Sequence, residues 1–296
     1  SNHASDKDLK AAHGKNVFAL NPRQNFADFL TSFIVITSPA SEHLNDIIRV
    51  QNKNCETVLI EKPLAKNSKQ GYEIIKKAED TQTPTFVLYN LRFSNGLKKI
   101  RGLLTSEDYG TPMYVQAVVG QDLAQWRTQS EAITNTISAK KETGGGVLRE
   151  LSHEFDYLSF LFDDIKVKEA LLTNTKYKEI DVEDTAFLLL EASYKGKKLP
   201  LSLVQDFVRP NKTRKLVIVC EHASLHWNLY SGRVEVHKEG DCVDLIFEDC
   251  DDLTKTYVDM WTQVLSRNYT SFCTSKDALK HIVLIETAES MQIGNS

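Results

Sequence analysis

From Phe33 onward, short apolar runs alternate with segments of helical period: residues 33–37, then 42–53 with Leu44, Ile47, Ile48 and Val50 along one face, then 57–60, 68–79 and 84–89. Short apolar runs without polar alternation suit strands buried on both faces, and strands separated by helix-length segments pair through crossovers rather than hairpins. The pattern predicts a βαβαβ unit with parallel strands and right-handed connections. In such open sheets ligands bind outside the carboxyl ends of the strands, so polar residues at those ends deserve the closest reading.

Beyond Ser94 the period changes. A helix through Leu97, Ile100, Leu103 and Leu104 leads to alternating runs at 113–121, 166–173, 184–194, 199–207, 215–221, 224–229 and 233–237, with turns at Lys195-Gly196 and Ser231-Gly232. These runs predict a meandering antiparallel sheet, closed by helices at 253–266 and 276–291. The predicted fold class is therefore α/β followed by α+β: a Rossmann-type parallel-sheet domain over 1–93, and an open, mainly antiparallel sheet domain with flanking helices over 94–296.

The first half of that Rossmann unit is missing from the pattern. The chain starts with a helix-like stretch to His13 and a short strand at 16–19, and Gly14 is the one glycine ahead of Gly71. No strand followed by Gly-x-Gly-x-x-Gly precedes residue 31, although that motif lets backbone and helix N-terminus approach a pyrophosphate. Either segments of a longer protein are absent here, or this chain has lost its dinucleotide cradle. The first is expected, because the lysine and histidine described next would have little to act on without a cofactor.

Composition excludes several classes. Lys+Arg 36 against Asp+Glu 40 gives 36 − 40 = −4 without a basic block, so a nucleic-acid partner has little electrostatic support. No apolar run approaches the roughly 18 to 20 residues that cross a bilayer, and the first residues lack a secretion signal, so a cytoplasmic protein without a membrane partner is expected. Five cysteines, Cys55, Cys220, Cys242, Cys250 and Cys273, have neither Cys-x-x-Cys pairing nor histidines at ligand spacing, and are read as reduced and structural, with no metal site.

Two segments carry chemistry. Val58-Leu59-Ile60-Glu61-Lys62-Pro63 sends an apolar strand into a proline-stiffened turn bearing an ionisable pair, and a partly desolvated lysine there can exchange a proton near neutral pH. Gly144-Gly145-Gly146 precedes Val147-Leu148-Arg149-Glu150-Leu151-Ser152-His153-Glu154-Phe155-Asp156-Tyr157. In one helix starting near Val147, Glu150, His153 and Tyr157 would share a face at i, i+3 and i+7. His153 is the candidate general acid or base. Three consecutive glycines are costly in chain entropy and point to the close approach of a backbone or ligand.

In order along the chain, Ile34-Val35-Ile36-Thr37-Ser38-Pro39 with His43, then Glu61-Lys62-Pro63, Asn90-Leu91-Arg92-Phe93, Gln125-Trp126-Arg127 and the triple-glycine segment ending in His153 and Asp156 resemble the glucose-fructose oxidoreductase and inositol dehydrogenase family of nicotinamide-dependent enzymes. The resemblance covers most of the chain. It implies an enzyme that moves hydride between NAD or NADP and a secondary alcohol or ketone of a sugar, cyclitol or sugar-acid derivative, with Lys62 and His153 catalytic and Glu150 assisting. The alternative is a cofactor-free sugar-binding or regulatory homologue.

By the same resemblance Ser38, Pro39, His43, Glu61, Lys62, Pro63, Asn90, Trp126 and Arg127 would contact the cofactor, and the Lys62-Pro63 bond would be cis. Arg92, Gln121 and Asp156 would meet the substrate, although Arg92 and Asp156 read equally well as ion-pair partners across the domain junction. One departure concerns Glu150, which stands three residues before His153 where many family members have an aspartate four before, so it orients His153 or faces elsewhere. Lys140-Lys141 is either solvated or faces an anionic substrate. The Gln-Trp-Arg and triple-glycine stretches look like a branch encoded with bacterial surface-polysaccharide genes. Phe187, Leu188, Leu189 and Leu190 place apolar side chains on both faces of one strand, which predicts a homodimer or homotetramer joined through the second sheet.

Overall fold

The computed structural model describes residues 31–50, 55–126, 136–140, 144–177, 179–240, 242–248 and 253–292. The helix to His13, the strand at 16–19, Arg127, Lys141, Cys250 and the side chains of Trp126 and Cys242 lie outside the described residues.

The predicted βαβαβ unit is present. Strands β1 (Thr31–Ile36), β2 (Cys55–Ile60) and β3 (Thr85–Val87) pair in parallel, with Ile34 opposite Val58 and Leu59 opposite Phe86. The crossovers contain α1 (His43–Val50) and α2 (Ser68–Asp80), the latter started by Asn67, whose side chain accepts the Gln70 N–H at 2.9 Å. Leu59 and Ile60 are fully buried, as their place in an unbroken apolar run requires.

A fourth strand comes from the far end of the chain. β12 (Cys273–Thr274) pairs antiparallel with β3, and among the described residues the sheet order is β1-β2-β3-β12. The helix that follows, α8 (Ser275–Gln292), packs on α2 and β3 and also against the second sheet. Gly71 admits this contact: a Cβ there would stand 2.8 Å from Leu279 Cδ1.

Among the described residues the second sheet has eight strands. They are β4 (Pro112–Gly120), β5 (Asp163–Thr173), β6 (Thr185–Tyr194), β7 (Lys197–Asp206), β8 (Thr213–Cys220), β9 (Ser224–Asn228), β10 (Arg233–Lys238) and β11 (Cys242–Glu248). Their order, β11-β10-β9-β8-β4-β7-β6-β5, corrects the simple meander: β4 lies between β8 and β7 and runs parallel to β7. A parallel neighbour needs a long connection, and the helices, beginning with α4 (Leu123–Trp126), and the β5–β6 hairpin between β4 and β7 provide it.

One face of this sheet is core. Leu188 and Leu190, Leu201 and Leu203, and Leu216 and Ile218 are buried there, with α3 (Asn95–Ser106) and α8 among the covering helices. The opposite face carries Leu171, Phe187 and Leu189 at 57%, 51% and 58% exposure, and Leu171 pairs across strands with Phe187. The apolar character of both faces read from residues 187–190 is thus real, and among the described residues nothing covers one of them.

The predicted helix from Val147 is two helices. α5 (Val147–Glu150) ends at Leu151 and α6 (His153–Leu161) starts afresh. The carbonyls that would continue the ladder are partly diverted: Glu150 O accepts from Lys62 Nζ at 3.0 Å and Leu151 O from Gln205 Nε2 at 2.7 Å. Side chains from outside thus compete for the backbone at the break.

Candidate active site

The break in the helix and the exit of β2 face one cleft of about 390 Å³, bordered by Lys62, Asn90, Gln121, Glu150 and His153. Lys62 follows the carboxyl end of β2, as predicted, and its bond to Pro63 is cis. Its ammonium donates to Glu150 O and lies 3.8 Å from Glu150 Oε2. Glu150 therefore faces Lys62. The lysine is held across the junction between the two sheets, with its charge at the cleft.

His153 opens α6 and is partly exposed to the cleft. Its Nδ1 is enclosed without a hydrogen-bond partner among the described residues, and Tyr89 packs edge-on against the ring at 5.5 Å between centroids. Burial first, then the charges of Lys62 and Arg214, push the imidazole well below its usual pKa. His153 is thus neutral near pH 7, the form that accepts a proton.

Helix α6 is fixed from below by two buried ion pairs. Glu154 receives Arg214 Nε of β8 at 2.7 Å. Arg92 Nε donates to both oxygens of Asp156 at 3.0 and 2.9 Å, with Nη2 2.8 Å from Oδ1. Both partners of the second pair are buried, so of the two readings left open for Arg92 and Asp156 the geometry gives the ion pair. Around Asp156, Cys273 and His281 bring their ligand atoms within 4.8 Å of one another, but the Asp156 carboxylate is already engaged by a guanidinium. Burial pushes the Cys273 thiol up and lowers His281 to about 4, so both are neutral at pH 7.

The triple glycine has a local cause. Gly144 and Gly146 have φ of 82° and 115°, and a Cβ on Gly146 would meet Glu183 Oε1 at 2.3 Å. Glu183 accepts the Leu148 N–H at 3.2 Å, and burial raises its pKa to about 7. The close approach read from the glycines is thus that of a carboxylate fixing the start of α5.

The residues after β1 brace the turn and are not among those that border the cleft. Ser38 Oγ donates to Asp46 Oδ2 at 2.6 Å, and the His43 ring lies between the carbonyl oxygens of Ser38, at 2.8 Å, and Leu64, at 3.1 Å. His43 thereby ties the β1 exit to the segment after Lys62-Pro63, while Pro39 is exposed. Glu61 is partly buried, which raises its pKa against the opposing charge of Lys62. Asn90 donates to Thr256 Oγ1 at 2.6 Å on α7 (Leu253–Leu265).

Sequence reading missed Lys212, Arg214, Tyr230 and Tyr257, which also border the cleft. A signal existed for Arg214: in β8 it shares the inward face with Leu216, Ile218 and Cys220, and a charge in an apolar row needs a buried partner.

Comparison with known proteins agrees with this architecture. Residues 97–226 match the model of the GFO/IDH/MocA C-terminal domain. A curated relative, trans-1,2-dihydrobenzene-1,2-diol dehydrogenase of Xenopus laevis, is 27% identical over 169 residues, 57% of this chain, and the matched part spans about half of that relative, 48% of its length. Among solved structures, an oxidoreductase of Agrobacterium radiobacter in complex with NAD+, L-tartaric acid and magnesium superposes with a TM-score of 0.78 at 16% identity, covering 98% of this chain and 86% of that one. An inositol dehydrogenase homolog of Azotobacter vinelandii complexed with NAD+ gives 0.75 at 11% identity, covering 90% and 77%. At such identities the structural likeness is one of fold. Residues 97–226 are thus similar to the C-terminal domain of the GFO/IDH/MocA family, and a parallel sheet stands ahead of that domain in this chain.

The described residues fit the nicotinamide end of a dinucleotide. Lys62 and Asn90 follow the carboxyl ends of β2 and β3, Leu91, Leu151 and Leu253 offer apolar walls, and a proton-accepting imidazole stands opposite. Contacts to the pyrophosphate are not assigned to any described residue.

Proposed function

We propose that the chain is an NAD(P)-dependent oxidoreductase acting on a secondary alcohol or ketone of a sugar, cyclitol or sugar acid. The observation that carries this reading is the placement of Lys62 and His153 on one cleft, the first charged and tethered to Glu150, the second neutral with an enclosed Nδ1. When bound, the nicotinamide takes or returns the hydride at the carbinol carbon. His153 accepts the hydroxyl proton in the oxidising direction, and the Lys62 ammonium stabilises the developing alkoxide. Glu150 holds Lys62 through both its carbonyl and its carboxylate. Ser38, Pro39, His43, Glu61 and Pro63 shape the strand ends on the cofactor side, and Gln121 lies at the substrate side. In this reading residues 1–93 form a nucleotide-binding unit, whose sheet takes β12 from the far end of the chain, and 94–296 otherwise form a substrate and assembly unit.

Titration of the full-length protein with NADH and NADPH by fluorescence is the direct test. Saturable binding of one of them in the micromolar range is expected; failure of both at millimolar concentration would falsify the reading and favour the cofactor-free homologue.

The same reading extends to assembly. The uncovered sheet face, with Leu171, Phe187, Leu189 and Tyr114, is an apolar surface that a second copy would cover. Light scattering at micromolar concentration is expected to give at least twice the chain mass, and Phe187→Glu to return it to one chain mass. A monomer from the unaltered protein contradicts the assignment. Among the described residues no helix is long and apolar enough to cross a membrane.

A further inference from the structure

Arg149 precedes Glu150 in α5, and its side chain is largely enclosed, at 14% exposure. Its planar fork reaches two other parts of the chain. Nε and Nη2 donate to the two oxygens of Glu289 at 3.0 and 2.7 Å, and Nη1 donates to Lys66 O at 2.6 Å. Glu289 stands on α8, and Lys66 follows Lys62 by four residues. One turn earlier on α8, Glu286 Oε1 accepts the Ser68 N–H at 2.8 Å, at the start of α2.

Two adjacent residues of α5 therefore hold the two ends of one short segment. Glu150 O accepts from the side chain of Lys62, and Arg149 donates to the backbone of Lys66. The exchange is reciprocal, because each side lends one side chain to the other's backbone. Neither side is stable in place unaided: a helix of four residues is too short to persist by its own ladder, and a lysine side chain is among the costliest to order. Gln205 joins the end of α5 to the second sheet, whereas Arg149 joins α5 to the turn that carries Lys62 and to α8.

We infer that Arg149 is a positioning residue for Lys62: its fork fixes α5 against the segment after β2 and so sets where the Lys62 ammonium stands in the cleft. The effect on turnover rests on the oxidoreductase reading above; the placement of the ammonium does not.

Two readouts on the full-length protein test this. The first is reductive methylation with formaldehyde and a borohydride, without added cofactor, read residue by residue by mass spectrometry. An ammonium shared with Glu150 O reacts when that bond opens, so Arg149→Met is expected to speed labelling of Lys62 by about threefold or more against the exposed Lys198. Arg149→Lys keeps the charge but not the fork, and should label like Arg149→Met. The second readout is turnover. Arg149→Met should lower kcat roughly 10- to 100-fold while cofactor affinity changes less than about threefold, as expected when a reacting group is misplaced rather than removed. In a Lys62→Met background the same substitution should cost less than about twofold more, because residues that act through one another are not additive. Glu289→Gln leaves the fork one neutral acceptor, should shift both readouts the same way by less, and replaces Arg149→Met if that variant does not fold. Unchanged labelling of Lys62, parental behaviour of Arg149→Lys, or an equal kcat loss with and without Lys62 overturns the assignment. A parent without cofactor-dependent turnover sinks the oxidoreductase reading alone, and the labelling then decides the placement of Lys62.

Discussion

Lys62→Met and His153→Asn are each expected to lower kcat by roughly 10²-fold or more, the loss typical of a positioned proton-transfer or charge-stabilising group, while cofactor affinity changes little. The pH profile separates the two. A protonated imidazole cannot take the hydroxyl proton, so oxidation should rise with pH through the folded pKa of His153. Burial and the neighbouring cations place that pKa below 6.5, so the acid limb falls there rather than at neutrality. It should vanish in His153→Asn. Glu150→Gln should have a smaller effect, through Lys62, because the carboxylate is 3.8 Å from that ammonium. If both principal variants keep kcat within about threefold and raise KM instead, these are binding groups and the mechanism is wrong.

The largest stability loss is expected from Asp156→Asn. Arg92 would keep its charge in a buried site without its counter-charge, and breaking one side of a buried pair costs about 3 to 5 kcal/mol. At about 2 to 4 °C per kcal/mol, the thermal midpoint should fall by roughly 6 to 20 °C. The Arg92→Met, Asp156→Leu double variant should recover a large part of that loss, because it removes the stranded charge. A midpoint within about 2 °C of the parent for Asp156→Asn would show that the pair is hydrated and contributes little.

The parallel sheet was legible because burial on both faces leaves an unbroken apolar run, as at Val58-Leu59-Ile60, with helix-length spacers between runs. β12 was not: two residues, Cys273 and Thr274, show no period, and their place beside β3 depends on packing across most of the chain. The position of β4 between β7 and β8 was hidden for a related reason, since alternation is the same whichever neighbour a strand takes. Lys62 and His153 were legible at the site because each stands beside a local signature, a strand exit or a glycine run. Of the two readings left open for Glu150, its facing Lys62 was not legible, because the helix expected to run unbroken from Val147 breaks where Lys62 and Gln205 from elsewhere in the chain engage its carbonyls. Lys212 offered no signal, since a lysine before a strand is ordinary until Tyr230 and the cleft surround it.

The late arrival of β12 and α8 has a bearing on biosynthesis. A domain completed early in the chain can fold as it leaves the ribosome, but this parallel sheet lacks its edge strand and the helix covering α2 until residue 292 has been added. Between the end of β3 at Val87 and that point lie 292 − 87 = 205 residues, roughly 10 to 40 s of translation at about 5 to 20 residues per second. During that interval Val87 and its neighbours have no antiparallel partner, so the nascent chain presents an open strand edge that a chaperone, or a second nascent chain, can reach first.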